Sequence, residues 1–269
     1  MMVDKVFLKN KYNPEGSTLR KAQIIMTGLL EFFDEFCKEN RLVYWLDSGT
    51  LLGAARHEGF IPWDDDVDVM MPIKDFKRLK KLMIGAQFNK DIVLQCHETD
   101  SGYYENWAVL RDLKSEYIQD SIIHNRRSYR GVQIDIFPCT NHFLSPLLKF
   151  CRHYQNRLIN KPLAEDGNTS RTPLSVRYFF NVFHFIIIPL CNIIGRPFTH
   201  DYVRFYYGIP FESKRYLRNI YPLRKIVFEN KEFNAPQNTA AYLTDLYGDW
   251  QQIPDINQIE THNAQIRFM

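Results

Sequence analysis

The sequence predicts an α+β fold, a mixed sheet flanked by helices. Three observations carry this: an amphipathic helix near the N-terminus, a series of short strand-like segments between Leu42 and Phe137, and a largely helical, aromatic and basic stretch from Leu144 to about Ile220. With 45% hydrophobic residues over 269 positions, the chain can bury a large core and is not extensively disordered. We read residues 1–269 as one domain, with a helical insertion or subdomain at about 144–220.

In chain order, Ser17 or Thr18 caps a helix running to about Lys38, with Ile25, Leu29, Phe32, Phe33 and Phe36 at three- and four-residue spacing on its apolar face. Leu42–Leu46 is a strand-type run. Ser48-Gly49-Thr50 then turns the chain into a short helix that Gly59 ends. A second strand is expected around Asp66 to Met71, stopped by Pro72. An amphipathic helix follows from Lys74 to Ile84, with Phe76, Leu79, Leu82 and Met83 inward. Asp91–His97, Trp107–Asp112, Tyr117–Gln119 and Gly131–Phe137 read as further strands, and Asp166-Gly167-Asn168 as a loop.

Charge is unevenly distributed. Between Lys149 and Lys225 stand 13 Lys/Arg and 4 Asp/Glu, an excess of +9, so the remainder carries −6 of the total +3. An ordinary solvated face explains such an asymmetry, and so does an enzyme that handles anions beside a metal site. Five cysteines, an odd number without a C-x-x-C pair, predict buried thiols in a reducing compartment. Met1–Asn13 has no apolar run, so no secretory signal is expected. The longest apolar run, Val182–Ile194, is interrupted by His184, Pro189 and Asn192 and falls short of the ~18 residues of a spanning helix. It reads as a buried helix; a helix lying on a bilayer is the second reading, supported by the basic residues around it.

The run Pro62-Trp63-Asp64-Asp65-Asp66-Val67-Asp68 carries the chemistry. Residues two apart in a strand share a face, so Asp66 and Asp68 project together, joined by Asp64 if the strand begins early. Like charges this close call for a cation between them or a shared proton. Oxygen-only ligation suits Mg²⁺ or Mn²⁺, and no His/Cys cluster with zinc spacing competes. A calcium loop shares the first three alternating carboxylates but demands Gly and Glu where Val69 and Asp75 stand. Asp135, alone among apolar neighbours in Ile134-Asp135-Ile136, is a third candidate carboxylate; without the other motifs, an edge strand with Asp135 in water is the preferred account. Ser48, Gly49 and Thr50 at a helix start offer backbone N–H groups to a phosphate. Arg56 and Arg111 are candidate phosphate ligands through the guanidinium fork, although each alone is a common surface arginine. His57 reads as structural.

Taken together, the stretch from Tyr44-Trp45-Leu46-Asp47-Ser48-Gly49-Thr50 through Gly59-Phe60-Ile61-Pro62-Trp63-Asp64-Asp65-Asp66-Val67-Asp68-Val69 resembles the signature of the LicD family. That family includes bacterial phosphocholine transferases and is related to the fukutin-type ribitol-phosphate transferases. Leu19-Arg20-Lys21-Ala22-Gln23, Gly131–Pro138 and Tyr247-Gly248-Asp249-Trp250 resemble further family segments in order, whereas Leu144–Ile220 matches none. The resemblance implies a nucleotidyltransferase-like fold. Gly49 and Thr50 would then lie at the donor phosphates, Asp66 and Asp68 would be paired metal ligands, and Asp135 the third carboxylate, as ligand or as base. It also implies a CDP-activated alcohol as donor, a glycan or lipid-linked sugar as acceptor, and no nucleic-acid partner. The expected location is cytoplasmic, with peripheral contact at the inner face of the membrane. Two rivals remain: a true nucleotidyltransferase releasing diphosphate, and a glycan- or nucleotide-binding module without catalysis.

Overall fold

The computed structural model describes residues 5–85, 90–118, 124, 126–165, 172–207, 213–253 and 265–269. The loop expected at 166–168 and the strand position Gln119 lie outside them. A short helix α1 (Lys5–Tyr12) precedes α2 (Thr18–Glu39), where the Ser17 side chain accepts the Arg20 N–H at 3.1 Å. The buried face of α2 is Ala22, Gln23, Met26, Leu29, Leu30, Phe33 and Cys37. Ile25, Phe32 and Phe36 are only partly buried, so the helix is rolled about one position from the expected face.

Next come β1 (Trp45–Leu46) and α3 (Ser48–His57). Glu58, in the left-handed conformation at φ 57°, ends α3, not Gly59. A strand β2 (Asp68–Pro72) leads into α4 (Ile73–Met83), which buries Phe76, Leu79 and Met83 but leaves the expected inward residue Leu82 exposed. The strands β3 (Ile92–Gln95), β4 (Ala108–Asp112), β5 (Ser115–Ile118) and β6 (Gln133–His142) complete the first half.

The long strand β6 organises the sheet. On one side it pairs in parallel with β2, and on the other its N-terminal half pairs antiparallel with β4. The main order is β1-β2-β6-β4-β3. The helices α2 and α4 pack against this sheet, and Val69, Met70, Met71, Ile134 and Ile136 are fully buried within it. Strands buried on both faces read as continuous apolar runs, as β2 does after Asp68.

The second half departs from the sequence reading in two ways. Helices do fill its start: α5 (Ser145–Gln155), a π-helical turn (Asn156–Asn160), α6 (Lys161–Glu165), α7 (Leu174–Val182), a second π-helical turn (Phe183–Ile187) and α8 (Ile188–Gly195). The helical pattern stops there and does not reach Ile220. Instead β7 (Thr199–Phe205) joins the C-terminal half of β6, and β8 (Arg215–Tyr216) joins β7. Val203 and Phe205 are buried while Arg204 between them is only half-buried, the two-residue alternation of a strand. The second departure is the apolar helix. It is not a buried core helix: along Leu174–Gly195 only 22% of the most apolar window is buried.

A short α9 (Leu217–Ile220) leads to the hairpin β9 (Arg224–Phe228) and β10 (Lys231–Ala235). Glu229 and Asn230 turn it with φ of 50° and 63°, the two left-handed positions of a tight hairpin turn. Then follow α10 (Thr239–Tyr247) and β11 (Gln265–Phe268), which pairs with β5. All five cysteines are free, and all but the half-buried Cys191 are buried.

The hairpin supports the α3 exit. Glu229 N–H donates to the Glu58 carbonyl at 2.9 Å, and its carboxylate takes the Phe60 N–H at 3.3 Å and Arg20 Nη2 at 2.7 Å. The chain folds back so closely here that a Cβ on Gly53 would stand 2.5 Å from the Gly59 carbonyl and 3.1 Å from the Ile61 N. Both are backbone atoms and cannot step aside. We expect Gly53→Ala to cost about 1–3 kcal/mol, the range for overpacking a tight interior, as a lower urea midpoint at unchanged slope. An unchanged midpoint would show that this contact does not constrain the fold.

Candidate active site

The acidic run is a loop, not a strand, until Asp68. Asp64 N–H bonds the Ile61 carbonyl at 2.9 Å in a turn, and β2 begins only at Asp68. The carboxylates therefore meet through loop curvature, and strand alternation explains only Asp68. The loop is held by its backbone. Gln23 Nε2 donates to the Asp64 carbonyl at 2.9 Å, Tyr117 Oη to the Asp65 carbonyl at 3.2 Å, and the Asp68 N–H to Thr50 Oγ1 at 2.8 Å. With the main chain clamped from α2, β5 and α3, the side chains of Asp64, Asp66 and Asp68 line one cavity of about 590 Å³.

Asp135 joins them. In the parallel pairing of β2 with β6 it is the register partner of Asp68, and its N–H donates to the Val67 carbonyl at 2.7 Å. It sits on a central strand and is buried, which rules out an edge strand with Asp135 in water. Trp107 Nε1 donates to its Oδ1 at 2.6 Å and Gln133 Nε2 to its Oδ2 at 2.8 Å. Burial pushes its pKa up, opposed by these two hydrogen bonds. Asp68 is held well above the usual carboxylate range, first by burial and then by the charges of Asp66, Asp135, Asp47 and Asp64. Asp64 is raised too, by burial and then by Asp66. The cavity is thus a place where negative charge is unfavourable until something positive enters.

Ser48 and Gly49 line the same cavity at the start of α3, where a helix leaves its first amides without intrahelical partners. Ser48 takes φ 47°, a rare conformation for a residue with a side chain. A Cβ at Gly49 would stand 2.9 Å from Asp64 Oδ2, so a side chain there would displace that carboxylate. Thr50 does not line the cavity; it acts through its hydroxyl on the Asp68 amide.

Two expected arginines are elsewhere. Arg111 is buried in β4, where it bonds Gln95 and the Gly131 carbonyl at 2.6 Å. Arg56 donates to the Trp250 and Gln252 carbonyls at 3.2 and 3.3 Å. Neither lines the cavity. The arginine that does is Arg215, from the basic stretch between Lys149 and Lys225. It is buried and grips Asp47 with both Nε (3.0 and 3.1 Å) and Nη2 (2.7 Å). Tyr242 Oη donates to Asp47 at 2.5 Å and accepts Trp45 Nε1 at 3.1 Å. Burial opposes the charge of Arg215, but Asp47 outweighs it and keeps the guanidinium above its ordinary pKa. Trp107, Gln133, Phe137, Ser213, Leu246 and Tyr247 complete the lining. Gln133 was findable, since it stands two before Asp135 on one strand. Asp47, Trp107 and Arg215 carry no local signal of their site role.

The donor set is all oxygen, which suits a hard divalent cation. Among the described residues no three acidic, histidine or cysteine side chains close around a single point. The fit therefore rests on the donor chemistry and the unfavourable crowding of charge.

Comparison with known proteins agrees with this architecture. The family model described as LicD/FKTN/FKRP, nucleotidyltransferase domain, matches residues 41–144. The chain is 26% identical to the lipopolysaccharide cholinephosphotransferase LicD of Haemophilus influenzae over 269 aligned residues, covering 94% of this chain and 98% of that protein. It is 51% identical to the human ribitol 5-phosphate transferase FKRP over 44 residues, 16% of this chain and 9% of that one. Mannosyltransferase regulator 4 of Saccharomyces cerevisiae is 32% identical over 85 residues, 32% of this chain and 7% of that one.

The buried Asp47–Arg215 pair makes a sharp prediction. Arg215→Met leaves a carboxylate buried without its partner and should cost about 3–5 kcal/mol. Adding Asp47→Asn should recover much of this. Urea denaturation of the two variants decides it: a double variant no more stable than the single one would mean that the charge pairing is not what holds this corner.

Proposed function

We propose, taking as premise that residues 41–144 place this chain in the LicD family, that it transfers a phospho-alcohol group from a CDP-activated donor to a hydroxyl of a glycan. The family makes the chain a transferase. The donor, the acceptor and the metal are our reading. The observation that carries it is the meeting of Asp64, Asp66, Asp68 and Asp135 with the Ser48–Gly49 helix start in one cavity.

In this reading the α3 amides at Ser48 and Gly49 receive the donor's phosphate oxygens. Asp64, Asp66 and Asp68, with Asp135 as the fourth candidate ligand, would hold Mg²⁺ or Mn²⁺. Such an ion supplies neutralisation of the diphosphate and stabilisation of charge on the leaving group. The acceptor hydroxyl oxygen forms the new bond to the phosphorus bearing the alcohol. The bond from that phosphorus to the bridging oxygen breaks, CMP departs, and the hydroxyl proton passes to a carboxylate. Asp135 suits the last role as well as ligation: Trp107 and Gln133 fix its two oxygens, and burial raises its affinity for a proton. Arg215 would not bind phosphate directly while it grips Asp47; it orients the wall on which α3 begins. An acceptor carried on lipid would bring the reaction to a membrane surface.

Asp68→Asn and Asp66→Asn should each lower CMP release at least about a hundredfold. Asp68→Asn should at the same time leave stability unchanged or raise it, because it removes one of several crowded like charges. Turnover near that of the wild type in either variant would overturn the site. Chelation should stop CMP release from CDP-alcohols, and added Mg²⁺ or Mn²⁺ should restore it. Mg²⁺ alone should raise the melting temperature of the wild type and leave Asp68→Asn unmoved. Diphosphate release from a nucleoside triphosphate, without CMP release from any CDP-alcohol, would instead establish the nucleotidyltransferase reaction.

A further inference from the structure

The helical run Leu174–Gly195 has two faces. Val176, Phe180, Phe183, His184 and Ile188 are buried against the body of the protein. His184 fixes this face by stacking on Tyr207 and Phe180 and by a 3.2 Å hydrogen bond between its Nδ1 and Asn106 Oδ1. The other face carries Leu174, Tyr178, Ile186, Leu190, Ile193 and Ile194, all exposed, with Ile186 at 60% and Ile193 at 56%. The run has 22 residues and a mean hydropathy of 1.7 over its most apolar window. Its length is ~33 Å at 1.5 Å per residue. Phe150 of α5 and Phe198 beyond α8 extend the apolar surface. A patch of this size on a folded protein marks an interaction site.

Charge around the patch is predominantly positive. Between residues 145 and 198 the described residues include Lys149, Arg152, Arg157, Lys161, Arg177 and Arg196 against the single acid Glu165. Beside the helix a cleft of about 370 Å³ joins Phe185, Ile188 and Pro189 to Lys77, Lys80 and Lys81 of α4. The one acid in that cleft, Glu98, is engaged by Lys80 at 2.6 Å. Lys77 and Lys81 are exposed.

We propose that the exposed face of Leu174–Gly195 docks on the surface of an anionic lipid bilayer, with its apolar side chains in the interface and Lys77 and Lys81 at the level of the lipid phosphates. The helix does not span, because its other face is committed to the protein core; an amphipathic helix of this kind lies in the interfacial plane. Basic residues beside it add attraction to anionic lipid. The same charges disfavour a second copy as the occupant, since a two-fold dimer through this patch would bring like basic rims together.

The test is co-sedimentation of the full chain with lipid vesicles. It requires no donor turnover, so its outcome is separate from the proposed reaction. The wild type should pellet at low salt with vesicles of phosphatidylcholine containing phosphatidylglycerol. It should bind pure phosphatidylcholine far less, and be released from the anionic vesicles as salt rises. Ile186→Ser, Leu190→Ser and Ile193→Ser together should weaken partitioning roughly tenfold or more; all three side chains are exposed, and circular dichroism checks that the fold is kept. Lys77→Glu and Lys81→Glu should each weaken binding to anionic vesicles by roughly fivefold or more. A wild type that stays in the supernatant with anionic vesicles at low salt overturns the proposal. So does binding that survives the triple serine substitution. A dimer by analytical ultracentrifugation that the triple substitution abolishes, without vesicle binding, assigns the face to a second copy instead.

Discussion

The constraint on which the rest of the structure depends is the register of β2 against β6. This is the one parallel strand pair among the described residues, and it sets Asp68 beside Asp135. Parallel neighbours need a long crossover, and here α4 and β3 to β5 lie between them in the chain. Two carboxylates are thus fixed side by side by a backbone ladder that neither can leave. A one-residue slip of β2 would turn Asp68 to the face opposite Asp135. The interlocking bonds read as protection of that register: Asp135 N–H to the Val67 carbonyl, Asp68 N–H to Thr50, and Asp47 N–H to the Asp68 carbonyl at 3.0 Å. The fold accepts the repulsion between the carboxylates because the backbone groups around them are satisfied.

Around that pair, positive charge is held at a distance and in use. Arg111 and Arg127 pull the Asp135 pKa down, yet burial still leaves it raised. The arginine in the cavity wall is committed to Asp47. A buried ion pair adds little net stability over an apolar substitute, whereas breaking one is expensive. Its value here lies in position: Asp47 precedes α3, and two side chains from distant elements, Arg215 and Tyr242, bond it alongside the hydroxyl of the neighbouring Ser48. The helix start that faces the cavity is therefore anchored to β8 and α10, and the C-terminal third of the chain completes a site whose acidic residues all lie in the first half.

How much of this was legible in the sequence follows from range. Elements specified by local pattern were found: α2 with its Ser17 cap, α4, and the strands around Asp68 and Asp135. The acidic residues were recognisable because their clustering among apolar neighbours is itself the signal. Residues placed by long-range contact were not. Arg215 meets Asp47 across 168 positions, and no local spacing predicts that. Arg56 and Arg111 were attractive because guanidinium suits phosphate, but Arg111 is taken up by Gln95 and the Gly131 carbonyl, and Arg56 by the distant carbonyls of Trp250 and Gln252. The β9–β10 hairpin was missed because Glu229-Asn230 lacks the glycine that usually announces such a turn. The strand β7 was missed because its alternation follows directly on a helical stretch, and the apolar run Val182–Ile194 was taken for core because hydrophobicity alone does not say which face is covered.

That strand links the two surfaces that matter. It begins four residues after the apolar helix ends at Gly195, pairs with the C-terminal half of β6, and holds β8 with Arg215 against Val203. Its last residue, Phe205, contacts Phe137 and Trp107 at ring separations of 5.8 and 6.4 Å, and both partners line the acidic cavity. Tyr206 and Tyr207, which follow at once, line the lysine cleft beside the helix. The apolar face and the carboxylates are therefore built on one continuous, hydrogen-bonded piece of backbone. If the helix rests on lipid, the cavity is held in a fixed relation to the bilayer, and an acceptor anchored in the same bilayer meets it at an effective concentration set by geometry. Docking then orients a substrate whose mobile sugar hydroxyl would otherwise have to find an in-line position unaided, and that orientation is worth more to a transfer reaction than added affinity alone.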